Sequence, residues 1–224
     1  MKLYMDPMSI TTRPILLFLA ENGIEIETQV VQLTTGQHLQ DAYRAINPNQ
    51  LVPVLEDGDL RLTESSAILK YLADTIESPA YPKDLKARAK VNEMMDWFNT
   101  NFYRDYGYNF VYPQILPHVK RRSEEAQDAT VTVGLEASKK WLAILNDHWI
   151  GPDKPYLCGG TITIADYFAV GLLTLGEIIR CDFSQYPNVD RWLQRMKSLD
   201  SWPDVNQAFY GWVAAMKDQQ FRTI

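Results

Sequence analysis

The sequence predicts a two-domain protein, in which a small α/β domain (residues 1–78) precedes an all-helical domain (residues 85–224). Over the first ~76 residues, strand-like and helix-like apolar patterns alternate in the order β-α-β and then β-β-α. Residues 77–82 contain two prolines and a serine, which is typical of a linker. Beyond the linker almost no strand pattern remains. These three observations predict an α/β domain followed by an all-α domain.

The first half of the α/β domain has the pattern of a βαβ unit. Residues 2–5 form a short apolar strand, and one of two consecutive threonines can cap a helix that carries Pro14 in its first turn. Gly23 stands where a C-terminal helix glycine is expected. Residues 24–31 alternate and predict a second strand, so the crossover is right-handed.

The second half of the α/β domain predicts a hairpin and a helix. Residues 37–46 form a weak helix or turn. Residues 52–55 and 60–62, joined by Glu-Asp-Gly-Asp, are typical of a β-hairpin. Residues 65–76 have apolar positions on one helical face, which predicts an amphipathic helix.

Helical periodicity dominates the rest of the chain. Thr163 and Asp166 have the spacing of a capping box, a feature that indicates a helix start and no chemistry. We expect helices over residues 85–101, 123–149, 163–179, 189–198 and 205–217.

Charge and composition exclude several classes of function. The net charge of −6 and the pI of about 5.1 argue against a nucleic-acid partner. The same acidic balance does not favour binding to an anionic membrane surface. No apolar run approaches the ~20 residues of a membrane-spanning helix, and the N-terminus has no signal-peptide layout.

Cysteine and histidine usage predicts neither a disulfide framework nor a metal site. Cys158 and Cys181 are too few for such a framework, so we expect a cytoplasmic protein in a reducing compartment. His38, His118 and His148 are widely separated and lack neighbouring ligands at zinc spacing.

Two segments indicate a site for a peptide-like ligand. Pro53 opens a short apolar strand, although proline cannot donate to a sheet ladder, so we expect the backbone of Val52 to pair with something other than the sheet. Glu64 and Ser65 place a carboxylate and a hydroxyl at a helix start. Together these groups can bind the backbone and the ammonium end of a peptide.

In combination, these motifs resemble the cytosolic glutathione transferases over essentially the whole chain. The theta and delta classes, in which a serine precedes an arginine by four residues, are similar at Ser9 to Arg13, and theta members also have a Gly-Gln-His segment as at residues 36–38. The resemblance implies a thioredoxin-like first domain, a homodimer and a cis bond between Val52 and Pro53. The other motifs are NPxxxVPxL at residues 47–55, ESxAIxxYL at 64–72 and GxxxTIAD at 159–166.

The resemblance implies that Ser9 stabilises the thiolate of glutathione as a hydrogen-bond donor. Lowering a thiol pKa by two units requires about 2.7 kcal/mol. A hydroxyl hydrogen bond to a charged acceptor contributes roughly 1.5–3 kcal/mol, and a helix N-terminus adds about 0.3–2 kcal/mol. No His-Asp pair or GxSxG elbow accompanies Ser9, so we do not expect it to be a nucleophile. A helix-capping or loop serine is the alternative, and Tyr4, the rival donor, has the pattern of a core residue.

The family's glutathione contacts carry over onto the matching positions. Glu64 would pair with the γ-glutamyl ammonium, Ser65 would bind its carboxylate, and Val52 would exchange backbone hydrogen bonds with the cysteinyl unit. Leu51 stands where theta members commonly have lysine, which removes a cation from the glycyl end. The full set of predicted glutathione-binding residues is His38, Gln50, Leu51, Val52, Pro53, Glu64, Ser65 and Ser66.

The second substrate, a small hydrophobic electrophile, is expected between the domains. Residues 99–110 are rich in aromatics, which suits planar electrophiles although such stripes often belong to a core. Arg13 is expected to support the first helix, and Trp97, Trp141 and Trp192 are assigned to the core. The candidate substrate contacts are Tyr103, Arg104, Tyr106 and Phe110.

The predicted function is conjugation of the glutathione thiolate to an electrophilic carbon. An alternative is a glutathione-dependent peroxidase or disulfide reductase, because the same thiolate attacks peroxide or sulfur. A different class of answer is a non-catalytic glutathione-binding regulatory module, since a fold does not determine an activity. Glutathione would be a co-substrate in the first two cases, with no metal.

Overall fold

The computed structural model describes residues 1–224 and contains one four-stranded sheet in the N-terminal domain. Its strand order is β2-β1-β3-β4, with β1 parallel to β2 and the other two pairs antiparallel. This confirms the predicted β-α-β, β-β-α order. The elements are β1 Lys2–Met5, α1 Arg13–Glu21, β2 Glu27–Val30, α2 Asp41–Arg44, β3 Val54–Asp57, β4 Leu60–Leu62 and α3 Ser65–Thr75.

Two strands of the sheet differ from their predicted bounds. β2 begins at Glu27 instead of residue 24 and is exposed along its whole length, as befits an edge strand. β3 begins at Val54, because Pro53 has no N–H to donate to the ladder. The hairpin turn is correspondingly tight and consists of Gly58 and Asp59, with Gly58 at φ +61°.

The second domain is helical, as predicted, but its first helical stretch continues past residue 101, where the predicted helix ended, to Ile115. The helix from Leu85 continues through two π-helical segments that flank Tyr103. The sequence pattern predicts this part of the helix only weakly, because it contains asparagines and a glycine, which are poor helix formers. The elements are α4 Leu85–Trp97, the π-helical segments Phe98–Phe102 and Arg104–Val111, α5 Tyr112–Ile115, α6 Glu124–Ile144, α7 Ile164–Thr174, α8 Pro187–Lys197 and α9 Trp202–Ala215.

The predicted capping box at the start of α7 is present. The Asp166 carboxylate is fully buried and accepts from the amide and hydroxyl of Thr163, both at 2.8 Å. It also accepts from the Leu157 amide and the Trp192 indole. Four donors therefore offset the cost of burying this carboxylate, and they join α7 to α8.

No helix of the chain is both long and apolar enough to cross a bilayer.

The two domains are joined where the first turn of α1 packs against α7 and α9. The Arg13 side chain is 2% exposed and donates to Asn206 Oδ1 (2.5 Å), the Gly171 carbonyl (3.2 Å) and Thr174 Oγ1 (2.9 Å). Its guanidinium also lies 3.7 Å from the centre of the Phe209 ring. Burial lowers the pKa of Arg13 to about 10, so it remains a cation at neutral pH. Arg13 supports the first helix, as expected.

Gly171 allows α1 and α7 to approach this closely. A Cβ atom at this position would lie 2.5 Å from Pro14 Cγ and 2.8 Å from the Ile10 carbonyl oxygen. Pro14 belongs to the first turn of α1, and Ile10 to the loop that precedes it. A side chain on α7 would therefore push away the loop that precedes α1.

Gly171→Ala should lower the free energy of unfolding by about 1–3 kcal/mol, because the added methyl group overpacks a closed contact. Gly211→Ala is the matched control, since its Cβ would meet nothing within 4 Å and a helix interior favours alanine over glycine by about 0.5–1 kcal/mol. Urea denaturation of both variants checks this. Equal stabilities for the Gly171→Ala variant and the unchanged protein would contradict the close approach of α1 and α7.

Candidate functional site

A cavity of about 820 Å³ lies between the two domains and is lined by residues of both. Its walls come from the loop before α1, the turn before β3, the start of α3, the π-helical region and α9. The structure brings together ten of the thirteen predicted site residues there. They are Ser9, His38, Leu51, Val52, Pro53, Glu64, Ser65, Ser66, Tyr103 and Arg104.

Ser9 lies one turn before α1. Its carbonyl accepts from the amides of Thr12 and Arg13, at 3.1 and 3.0 Å, and its hydroxyl oxygen accepts from the Thr12 amide at 3.3 Å. The Ile10 and Thr11 amides donate to no atom of the chain. Ser9 therefore presents a neutral hydroxyl beside two free N–H groups at a positive helix end, which is an environment that favours an anion.

The Val52–Pro53 bond is cis, as the resemblance implied. The preceding carbonyl, that of Leu51, accepts from the Tyr43 hydroxyl at 2.7 Å and from Asn47 Nδ2 at 2.8 Å. These two bonds hold the turn in place, while the Val52 amide donates to no atom of the chain. The Val52 amide is thus available to an extended ligand in the cavity.

Glu64 occupies an unusual backbone conformation next to this turn. Its φ is +66°, which a residue with a side chain rarely adopts, and such conformations cluster at ligand sites. The carboxylate is exposed and forms no ion pair within the chain, while Ser65 begins α3 and is buried. The site therefore combines a free carboxylate with a helix N-terminus, which can bind the two charged groups of an α-amino acid.

His38 also lines the cavity. Its Nδ1 atom is buried without a hydrogen-bond partner, and burial together with nearby His118 lowers its pKa. Leu51 is 59% exposed at the rim. Gln50 does not line the cavity; its amide lies 3.4 Å from the Leu39 carbonyl, so its predicted role as a ligand contact is not supported.

Aromatic side chains from the helical domain line the other half of the cavity. The hydroxyls of Tyr103 and Tyr112 are 2.5 Å apart, and burial raises the pKa of both, so both remain protonated donors. Arg104 forms an ion pair with Asp105 at 3.1 Å. Sequence reasoning missed several lining residues, namely Tyr108, Tyr112, His118, Phe168 and Trp212.

The prediction that Tyr106 and Phe110 contact substrate is wrong in this structure. Both are 0% exposed and lie outside the cavity lining, and the Tyr106 hydroxyl donates to the Leu173 carbonyl at 3.0 Å. The reason is the π-helical winding. Its hydrogen bonds join residues five apart, and Tyr103 and Tyr108, which are five apart, both line the cavity. No sequence signal marks such winding.

The residues that the sequence assigned to the core are either buried or packed against it. The Tyr4 side chain is 7% exposed and its hydroxyl donates to Glu56 at 2.9 Å, on the sheet and outside the cavity. Trp192 is fully buried, whereas Trp97 and Trp141 are partly buried against the core. No three His, Cys, Asp or Glu side chains come together as a metal-binding group.

Comparison with known proteins identifies the family. Sequence models of the glutathione S-transferase N-terminal and C-terminal domains match residues 1–74 and 109–200. Human glutathione S-transferase theta-1 is 34% identical over 205 residues, which is 88% of this chain and 82% of the human protein.

Solved structures give the same result. A human theta-class glutathione transferase, in complex with the glutathione conjugate of 1-menaphthyl sulfate, superposes with a TM-score of 0.84 at 31% identity, over 96% of this chain and 88% of that one. A delta-class glutathione transferase from Nilaparvata lugens superposes with a TM-score of 0.78 at 28% identity, over 96% and 99% of the two chains. This chain therefore belongs to the glutathione S-transferase family.

Proposed function

We propose that Ser9 is the residue with which this glutathione transferase holds the sulfur of glutathione as a thiolate. The observation that carries this proposal is the position of the Ser9 hydroxyl at the start of α1. There it faces the cavity and lies beside two amides, those of Ile10 and Thr11, that have no partner within the chain. The thiolate then attacks an electrophilic carbon, with the bond to the leaving group breaking or a double bond taking up the electrons.

The energetics of this arrangement suffice without a general base. A hydrogen bond from a hydroxyl to a charged acceptor contributes roughly 1.5–3 kcal/mol, and a partly buried helix terminus adds up to about 2 kcal/mol. A two-unit fall in the thiol pKa requires about 2.7 kcal/mol. Neutral donors therefore account for a thiolate near pH 7 in a site where no histidine is bonded to Ser9.

The remaining predicted contacts place glutathione along the first domain. In our proposal the Glu64 carboxylate pairs with the γ-glutamyl ammonium, and the start of α3, with Ser65 and Ser66, binds the adjacent carboxylate. The Val52 amide, free of a partner in the chain, binds the cysteinyl carbonyl. His38 also lines the cavity and binds the glycyl carboxylate in this proposal.

The aromatic half of the cavity supports a planar, hydrophobic second substrate. Tyr103, Tyr108 and Tyr112 provide ring faces and edges there, and their rings lie within 6.0 Å of one another between centroids. Arg104, although paired with Asp105, is 60% exposed in its side chain and can reach an anionic group on a substrate. We therefore propose aryl and benzylic electrophiles as the preferred class.

Ser9→Ala should cut turnover of a chloronitrobenzene-type electrophile at least tenfold and raise the pKa of the bound thiol by about one unit or more, since the variant loses the donor to the anion. Ultraviolet titration of the thiolate in the complex measures the pKa. Tyr4→Phe is the matched control and should change neither value, because the Tyr4 hydroxyl is bonded to Glu56. If Tyr4→Phe has the larger effect, the assignment of Ser9 is wrong.

Leu51→Lys should tighten glutathione binding two- to fivefold at low salt, because an exposed ion pair contributes up to about 1 kcal/mol. The gain should fade as salt screens the pair. Leu85→Lys is the control, since Leu85 is 81% exposed and does not line the cavity. Calorimetric titration measures both. An equal gain from Leu85→Lys, or no gain from Leu51→Lys, would argue against the glycyl end lying at Leu51.

We also propose a cytoplasmic homodimer, as the resemblance implies. Both cysteines are free thiols, which suits a reducing compartment. Sedimentation at micromolar concentration should give about twice the 25.8 kDa of the chain. A species with the mass of one chain would contradict the dimer and would leave the cavity, which this chain lines by itself, unaffected.

A further inference from the structure

Two hydroxyl groups, not one, face the cavity at the start of α1. Thr11 Oγ1 lies 3.1 Å from Ser9 Oγ and donates to the Val52 carbonyl at 3.2 Å. Thr11 is half-buried and lines the cavity together with the other two residues. The Thr11 hydroxyl therefore connects Ser9, the proposed hydrogen-bond donor to the thiolate, with Val52 in the turn before β3.

The number of hydrogens determines the direction of these bonds. Each hydroxyl has one hydrogen, and the Val52 carbonyl can only accept. The Thr11 hydrogen is therefore directed at Val52, so the contact between the two hydroxyls is a bond from Ser9 to Thr11. In this arrangement the hydrogen of Ser9 is directed at Thr11 Oγ1.

A bound thiolate requires a different arrangement. Ser9 must direct its hydrogen at the sulfur. With Ser9 Oγ and Thr11 Oγ1 still 3.1 Å apart, lone pairs of the two oxygens then face each other. The repulsion is relieved when the Thr11 hydrogen rotates from Val52 toward Ser9. The same rotation removes the one intrachain donor of the Val52 carbonyl, and a ligand amide can replace it.

We propose that Thr11 is a positioning residue, whose hydroxyl turns from the Val52 carbonyl to Ser9 when glutathione binds. A Ser9 hydroxyl that accepts from Thr11 is a stronger donor to the sulfur, since successive hydrogen bonds polarise one another. Formation of the thiolate is thereby coupled to an exchange of donors at the Val52 carbonyl, from the Thr11 hydroxyl to the cysteinyl amide. No proton leaves either hydroxyl. The inference rests on the proposed role of Ser9 as the donor.

A direct bond from Thr11 to the sulfur is the competing explanation, because Thr11 also lines the cavity. Thr12 is not a candidate, since it is 0% exposed and does not line the cavity. The two explanations differ in one respect. A relay through Ser9 disappears when Ser9 lacks its hydroxyl, whereas a direct bond to sulfur remains.

The experiment measures the pKa of the glutathione thiol in the complex by ultraviolet titration of the thiolate. The variants are Thr11→Val and Thr11→Ser, and each is made both with Ser9 present and in the Ser9→Ala background. Thr11→Val should lower the acid dissociation constant of the thiol about two- to fourfold, a pKa rise of about 0.3–0.6, which matches modest polarisation along a hydrogen-bond chain. Thr11→Ser keeps the hydroxyl and should restore the pKa. In the Ser9→Ala background, Thr11→Val should add no further rise.

An unchanged or lowered pKa in Thr11→Val would overturn the relay, and so would an equal rise in the Ser9→Ala background, which would make Thr11 a direct donor. If Ser9→Ala alone leaves the pKa unchanged, the role of Ser9 fails and the relay fails with it. Thr11→Ala serves as a second variant, because it needs no space for a branched side chain, and the same outcomes apply to it.

Discussion

The packing of the first turn of α1 against the helical domain is the constraint on which the candidate site depends. A buried guanidinium, that of Arg13, joins α1 to α7 and α9 through Asn206, Thr174 and the Gly171 carbonyl. It has no carboxylate within ion-pair distance, so neutral acceptors and the Phe209 ring compensate its charge. Ser9 lies four residues earlier and shares a hydrogen bond with the Arg13 amide, so its position follows from the same contact.

This arrangement explains how a cavity between two domains can have well-defined walls. The loop before α1 and the turn before β3 both contribute backbone groups, and side chains of Tyr43, Asn47 and Thr11 hold the carbonyls of that turn. The helical domain adds aromatic side chains on the opposite side. A polar half built from free backbone groups suits a peptide, and an aromatic half suits an electrophile. Their adjacency brings the two reactants together.

Sequence reasoning predicted the parts of this structure that have local signals. Glycine and proline mark the ends of α1 and the start of β3, and the Glu64-Ser65 pair marks the start of α3 in the cavity wall. The capping box at Asp166 is equally local. These features depend on residues that are close in the chain, so spacing alone reveals them.

Other features depend on contacts between distant residues and have no such signal. Tyr106 and Phe110 were expected in the cavity, but a π-helical turn buries them and exposes Tyr108 instead. Trp212 reaches the cavity only because α9 packs against α1. The bond from Thr11 to Val52 spans 41 positions of the chain and likewise arises from tertiary packing. Helix rotation and domain docking decide these contacts, and neither follows from periodicity.

The crystal structure of the complex with glutathione tests the central claim most directly. Our account predicts the sulfur within about 3.5 Å of Ser9 Oγ, at the amino end of α1, with the cysteinyl unit paired to Val52. A sulfur bonded to a tyrosine hydroxyl of the aromatic half, and beyond hydrogen-bond distance of Ser9, would contradict it.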